Sequence, residues 1–211
     1  MVLDAKRDSV EFIMEPMAKI FSRWSPNAIS WLAFALAVLA GILIFLSPWY
    51  WTLLLPLAAV VVLLSGFFDA LDGKVARLTG MASRRGDLLD HVLDRYADVF
   101  MIGAVAFSSW CDPYIGILAI IGVLMTSYMG TQCQAIGAGR LYSGLLGRAD
   151  RVVLLVLAPL LQIIFMAFTD GWIHIGAVSL SAFEMVMLWF AVVGNLTAVQ
   201  RALKIWEMVP P

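Results

Sequence analysis

Apolar residues run through this chain in long stretches separated by short polar ones. A helix needs about 20 mainly apolar residues to cross a bilayer. Six stretches reach that length, near 28–48, 51–72, 88–109, 113–136, 151–170 and 178–200. The pattern predicts an all-α integral membrane protein with six transmembrane helices. Ahead of them, Val10, Ile13, Met14, Met17 and Phe21 recur at helical spacing, with Lys19 and Arg23 alongside. This predicts a juxtamembrane amphipathic helix within 1–23, lying in the interface or packed on the spans. Ser25-Pro26-Asn27 marks a turn that puts Pro in the first turn of span one. No repeat, low-complexity run or linker divides the chain, so 1–211 reads as a single membrane domain.

Composition agrees. The chain is 62% hydrophobic and 14% charged, where a soluble domain carries about a quarter charged residues. The charges are segregated rather than scarce everywhere. Lys6, Arg7, Lys19 and Arg23 precede span one. Lys74, Arg77, Arg84, Arg85 and Arg95 surround the connection between spans two and three. Arg140, Arg148 and Arg151 surround the connection between spans four and five, and Arg201 and Lys204 follow span six. The other three connections hold no Lys or Arg. Six spans therefore put all fourteen cations on one side. The positive-inside rule makes that side cytoplasmic, together with both termini. The expected location is the cell membrane, multi-pass. No cleavable signal peptide is expected, since no short apolar core with a small-residue cleavage site opens the chain. Cys111 and Cys133 form no ligand or disulfide framework, and no nucleic-acid partner is expected.

One stretch breaks the avoidance of charge. Residues 69–94 read D-x2-D-G-x2-A-R-x8-G-x3-D-x3-D. Asp69 and Asp72 share a face of span two, being three residues apart. Asp90 and Asp94, four apart, share a face near the start of span three. The two spans are antiparallel neighbours, so the four carboxylates converge at the membrane edge. Carboxylates packed together repel one another, and ionisable groups inside a membrane are expensive and usually functional. Hard divalent cations resolve the repulsion, because Mg2+ and Mn2+ prefer oxygen ligands. Two such ions are a common device for phosphate transfer. Gly73 and Gly86 allow close approach of backbone or ligand, and Arg77 can fork onto phosphate oxygens.

The motif resembles the signature of the CDP-alcohol phosphotransferase (phosphatidyltransferase) family. All its fixed positions are present: Asp69, Asp72, Gly73, Ala76, Arg77, Gly86, Asp90 and Asp94. The six-span topology is also similar. The resemblance implies a phospholipid-synthesis enzyme. An alcohol hydroxyl attacks the lipid-bound phosphorus of a CDP-activated lipid, of diacyl or archaeal ether type, and CMP leaves. It implies Asp69, Asp72, Asp90 and Asp94 as ligands of Mg2+ or Mn2+, with Asp94 also the general base. It implies Gly73, Ala76, Arg77, Ser83 and Gly86, with Asn27 and Ser30, at the CDP-lipid. It further implies a homodimer and a water-soluble acceptor. Thr131, Gln132, Arg140, Arg148 and Arg151 are the candidate acceptor residues. The run Gly147-Arg148-Ala149-Asp150-Arg151 resembles the stretch that meets the acceptor phosphate in inositol phosphate enzymes. The uncharged run 127–134 departs from those enzymes. A phosphorylated polyol, inositol phosphate or glycerol phosphate, is favoured over serine or another unphosphorylated alcohol.

Other polar residues read more plainly. Asp87 is expected to cap span three, His91 to pack or face the interface, and Asp98 to support the site, either extending the carboxylate face or pairing with Arg95 or Arg151. Glu184 and Gln162 are expected in interhelical hydrogen bonds, and Trp49, Tyr50 and Trp51 in an aromatic belt. A transporter with a carboxylate ion site is the rival class. It calls for charges deep in several spans and paired helix breaks at the midplane, which this sequence lacks.

Overall fold

The computed structural model describes residues 7–137, 139, 141 and 144–209, with side chains from Met14 onward. Arg140 lies outside the described residues. The order is α1 (Arg7–Ile20), a 3-10 turn (Phe21–Arg23), α2 (Pro26–Leu46), α3 (Trp51–Leu78), α4 (Arg84–Ala106), α5 (Pro113–Ala135) and α6 (Arg148–Phe168). A hairpin of β1 (Ile173–Ile175) and β2 (Val178–Leu180) follows, then α7 (Ala182–Trp189), a π-helical turn (Phe190–Gly194) and α8 (Asn195–Met208).

Five described segments are long and apolar enough to cross a membrane: α2, α3, α5, α6 and the continuous run Ala182–Met208. Helix α4 is 23 residues long, yet Asp87, Asp90, Asp94, Arg95 and Asp98 make half of it polar. It packs between α2 and α5. The structure thus supports five spans by length and composition and leaves α4 as a partly charged inner helix.

Local chemistry sets the helix starts. Ser25 accepts a hydrogen bond from the Ala28 amide at 3.2 Å, with Pro26 at the first position of α2. Ser83, not Asp87, caps α4, accepting from the Gly86 amide at 3.1 Å. Asp87 instead sits in the first turn, where a negative charge suits the helix dipole. Helix α3 runs six residues past Asp72, so Gly73 lies inside a helix rather than beside a loop. Gly86 likewise belongs to the first turn of α4. The actual turn spans 79–83, with Gly80 in the left-handed region at φ 70°.

Helix α1 packs on α3. Met14, Met17 and Phe21 lie against a buried cluster of Ala18, Ile29, Leu71 and Val75, and Lys19 pairs with Glu15 on the open side at 2.9 Å. The main core is built from α2 to α7, around Leu55, Ile102, Val123, Leu155, Phe183 and Phe190.

Span six differs from expectation at its start. Residues 178–180 are a strand, and the helix begins at Ala182. Ile, Val and Leu flank a two-residue turn whose Gly176 has φ 62°, the geometry a tight hairpin demands. Further along, the π turn inserts an extra residue against α5. Gly122 makes room for it: a Cβ there would lie 2.8 Å from both the Phe190 carbonyl and the Asn195 side-chain nitrogen Nδ2.

Candidate active site

The chain's antiparallel hairpins bring the end of α3, the start of α4, the end of α5, the start of α6 and the later part of α8 together. They enclose a cavity of about 730 Å³ lined by Asp69, Asp90, Asp94, Arg77, Arg148 and Arg201, among others. Below it a narrow crevice continues between Ser30, Ser65, Asp94 and Asp98.

Three of the four motif aspartates open on the cavity. Asp94 is 6% exposed, so its carboxylate is desolvated unless partnered. Its partner is Arg148, from the first position of α6. One terminal nitrogen of Arg148 pairs with Asp69 Oδ1 and with Asp94 Oδ1. Arg95 lies 3.4 Å from the other Asp94 oxygen. Asp72 is placed differently. It is buried against α2, where Ser30 Oγ donates to Asp72 Oδ2 at 2.5 Å, and it remains within electrostatic reach of Asp69 and Asp90. The hydroxyl orients the carboxylate through a short charge-assisted bond.

The residues fit a divalent cation. The donors are hard oxygens. A cationic nitrogen already lies between Asp69 and Asp94, so these carboxylates converge on a position that takes positive charge. Asp90, His91 and Asp94 also each offer a ligand atom, all within 4.8 Å of one another. His91, expected to pack or face the interface, therefore faces the carboxylates: its Nδ1 is buried without a hydrogen bond, 3.6 Å from Asp90 Oδ2.

On the neighbouring wall, the Arg77 guanidinium lies over Gly73, where a Cβ would sit 3.5 Å from Arg77 Nη1. Ala76 lies one residue before it on α3. Asn27 reaches the first turn of α4, with its Oδ1 3.5 Å from where a Gly86 Cβ would be. Ser83 is an exposed cap.

The acceptor candidates divide. Arg148 and Arg151 line the cavity. Thr131 lines a side groove between α4 and α5, its hydroxyl bonded to the Tyr128 carbonyl at 2.9 Å, and Gln132 is exposed outside both. Helix α5 offers Thr126, Ser127 and Gly130 to the cavity instead. Sequence reasoning also missed Arg201. It is 7% exposed and donates to the Thr126 carbonyl at 2.6 Å. Thr126 Oγ1 in turn bonds the Gly194 carbonyl in the π turn at 2.8 Å. Arg201 lies on the same buried face as Phe183, Met187, Phe190, Gly194 and Thr197, but what that face meets is set by packing against α5, which the sequence does not display.

A helical membrane bundle whose carboxylates converge on a cation position at one end is the architecture of a membrane-embedded, metal-dependent transferase. A profile of the CDP-alcohol phosphatidyltransferase family matches residues 23–197, and the chain belongs to that family. Among its relatives, the archaetidylinositol phosphate synthase of Pyrococcus horikoshii is 29% identical over 136 residues, 64% of this chain and 69% of that protein. The phosphatidylinositol phosphate synthase of Cutibacterium acnes is 28% identical over 198 residues, 90% of each chain. The fold matches crystal structures of the Mycobacterium tuberculosis phosphatidylinositol phosphate synthase. With CDP-DAG bound, that protein aligns at TM-score 0.73 and 23% identity, covering 92% of this chain and 94% of the other. In complex with manganese and citrate it aligns at 0.73 and 23%, covering 92% and 88%. At that identity the likeness concerns the fold. Family membership makes the chain a transferase of phospholipid synthesis.

Proposed function

We propose that this protein transfers the lipid phosphate group of a CDP-activated lipid to a phosphorylated polyol, with an inositol phosphate favoured. The observation that carries the reading is the single cavity in which Arg148 touches Asp69 and Asp94 while Arg201 lines the same space. Arginine forks suit a phosphate better than a neutral alcohol. Two relatives named for inositol phosphate products support the choice.

In this reading Asp69, Asp72, Asp90 and Asp94 hold Mg2+ or Mn2+, as two ions. When bound, these ions neutralise the pyrophosphate and make CMP a better leaving group. The protein's own groups do the rest. Arg77, over Gly73, faces the nucleotide side together with Ala76, Ser83, Gly86 and Asn27. Ser30 orients Asp72. Arg148 holds the acceptor's phosphate, with Arg201 adding positive charge to the same cavity wall, and so fixes its hydroxyl in line with the lipid phosphorus. The hydroxyl oxygen forms the new P–O bond, its proton passes to Asp94, and the bond to CMP breaks with the electron pair leaving on CMP. Thr131 and Gln132 are replaced here by Ser127 as the nearby polar group of α5.

We further read α4 as the third of six spans, its charges held inside the bundle by Arg148 and Arg151. The segregated cations then set the site and both termini on the cytoplasmic side, where CDP-lipid headgroups meet soluble acceptors. The single-domain organisation and the homodimer belong to the same reading. Serine is the second acceptor class, favoured by the uncharged Thr126, Ser127 and Gly130 face of α5. Incubating the purified protein with CDP-lipid, Mn2+ and a panel of alcohols, and measuring CMP, separates these. CMP release with inositol phosphate but not serine is the expected result. Release with serine alone selects the second class.

A further inference from the structure

Arg151 lines the cavity and Asp98 the crevice that continues from it, yet they are spent on each other. Arg151 is 4% exposed. Its Nη1 pairs with Asp98 Oδ2, and its Nε donates to the Gly147 carbonyl at 3.3 Å. Gly147 precedes Arg148 and is held from its other side too: its amide donates to Asp150 Oδ2 at 2.8 Å. Asp98 stands one turn beyond Asp94 on the same face of α4 and lies 3.9 Å from Arg95 Nε. A buried charge that is already paired has little left for a ligand, whereas Arg148 keeps 40% of its side chain open. The pair bolts the start of α6 to the helix that carries Asp90 and Asp94.

We propose that Asp98 and Arg151 are positioning residues for the acceptor: they fix the Gly147–Arg148 turn so that Arg148 meets the acceptor phosphate beside Asp94. This rests on the acceptor reading above. Arg151 is then not itself a phosphate ligand, and Asp98 is not a metal ligand, although each lies one helical turn from residues that are given those roles. The carboxylate face of α4 divides by function along its length, with Asp90 and Asp94 for chemistry and Asp98 for alignment.

The test compares wild type, Arg148→Gln and Asp98→Asn in the full-length protein. It measures KM for inositol phosphate, kcat, KM for the CDP-lipid, and Mn2+ affinity by calorimetry. Positioning through Arg148 predicts that both variants raise the acceptor KM by about tenfold, the loss of one well-placed charged contact. In Asp98→Asn, CDP-lipid KM and Mn2+ affinity stay within about twofold; Arg148→Gln is read on the acceptor KM alone, because its guanidinium also touches Asp69 and Asp94. Because breaking a buried pair leaves an uncompensated charge, Asp98→Asn is backed by Arg151→Lys, which keeps the charge for Asp98 and loses the Nε bond to Gly147. If Arg148→Gln raises the acceptor KM and the folded pair variants do not, the positioning role is overturned. It is overturned equally if CDP-lipid KM and Mn2+ affinity shift as much as the acceptor KM in Asp98→Asn or Arg151→Lys. An unchanged acceptor KM in Arg148→Gln instead removes the acceptor reading, and this inference with it.

Discussion

The two ends of the bundle bury polar groups in opposite ways. At the far end, each one closes on a partner inside the protein. Trp110 Nε1 donates to Ser47 Oγ at 2.8 Å, Ser181 Oγ donates to the Trp110 carbonyl, and the Asp112 amide donates to Glu184 Oε1 at 2.9 Å. Gln162, fully buried, accepts from the Ala182 amide at 2.9 Å and donates to the Gly171 carbonyl at 2.8 Å. Burial beside these carboxylates pushes the Cys111 thiol up to about 12, so it stays an inert neutral thiol. At the aspartate end the carboxylates instead face a cavity of about 730 Å³ and converge on cationic groups. Satisfied polar groups that tie loops together stabilise a structure, whereas converging charges opening on a cavity are where chemistry is found.

The contrast makes opposite forecasts for the two ends. Stripping divalent ions with a chelator is expected to abolish CMP release, with recovery on adding Mn2+ or Mg2+ and no loss of helical content. Asp94→Asn comes next: loss of a general base costs roughly 10²–10⁴-fold in rate, and because Asp94 is also a metal ligand the rate is read at saturating Mn2+. Wild-type turnover in that variant would sink the assignment of the base. Ser30→Ala removes the hydroxyl from Asp72, and a hydrogen bond to a charged group is worth about 1.5–3 kcal/mol. The expected result is weaker Mn2+ binding, read as a raised half-saturating concentration. The smallest effect belongs to the far end. Trp110→Phe deletes the bond to Ser47 and is expected to cost about 1 kcal/mol of stability, seen as a lower melting temperature with kcat unchanged. A large activity loss there with normal stability would erase the distinction between the ends.

The sequence made the aspartate end readable because its chemistry is local. Asp69 and Asp72, Asp90 and Asp94 lie within one or two helical turns of each other, and helical spacing alone puts each pair on a shared face. The cation pattern likewise brought Arg148 to the same side of the bundle. What stayed hidden depends on structure between helices. Arg201 lies on the buried face of the last helix, but its place at the cavity depends on that helix packing against α5, where it meets the Thr126 carbonyl. The choice of Ser127 over Thr131 turns on which face of α5 packs inward, and the polar residues 126–134 are spread around that helix rather than gathered on one face. The strand at 178–180 reads as a span because Val178 and Leu180, alternating with Ser179, match the start of a buried helix as well as a hairpin. Glu184 and Gln162, expected in interhelical hydrogen bonds, meet backbone groups instead: the Asp112 amide before α5, and the Ala182 amide and Gly171 carbonyl around the hairpin.

The most direct measurement is product formation by the purified protein from CDP-lipid, Mn2+ and inositol phosphate, with wild type and Asp94→Asn run side by side. Mass spectrometry of the lipid and quantitation of CMP give both halves of the reaction. The account predicts a new lipid carrying the inositol phosphate headgroup, formed in equal amount with CMP by the wild type and reduced at least about a hundredfold in the variant. CMP without that lipid, no CMP with any acceptor, or equal product from the two proteins would contradict it.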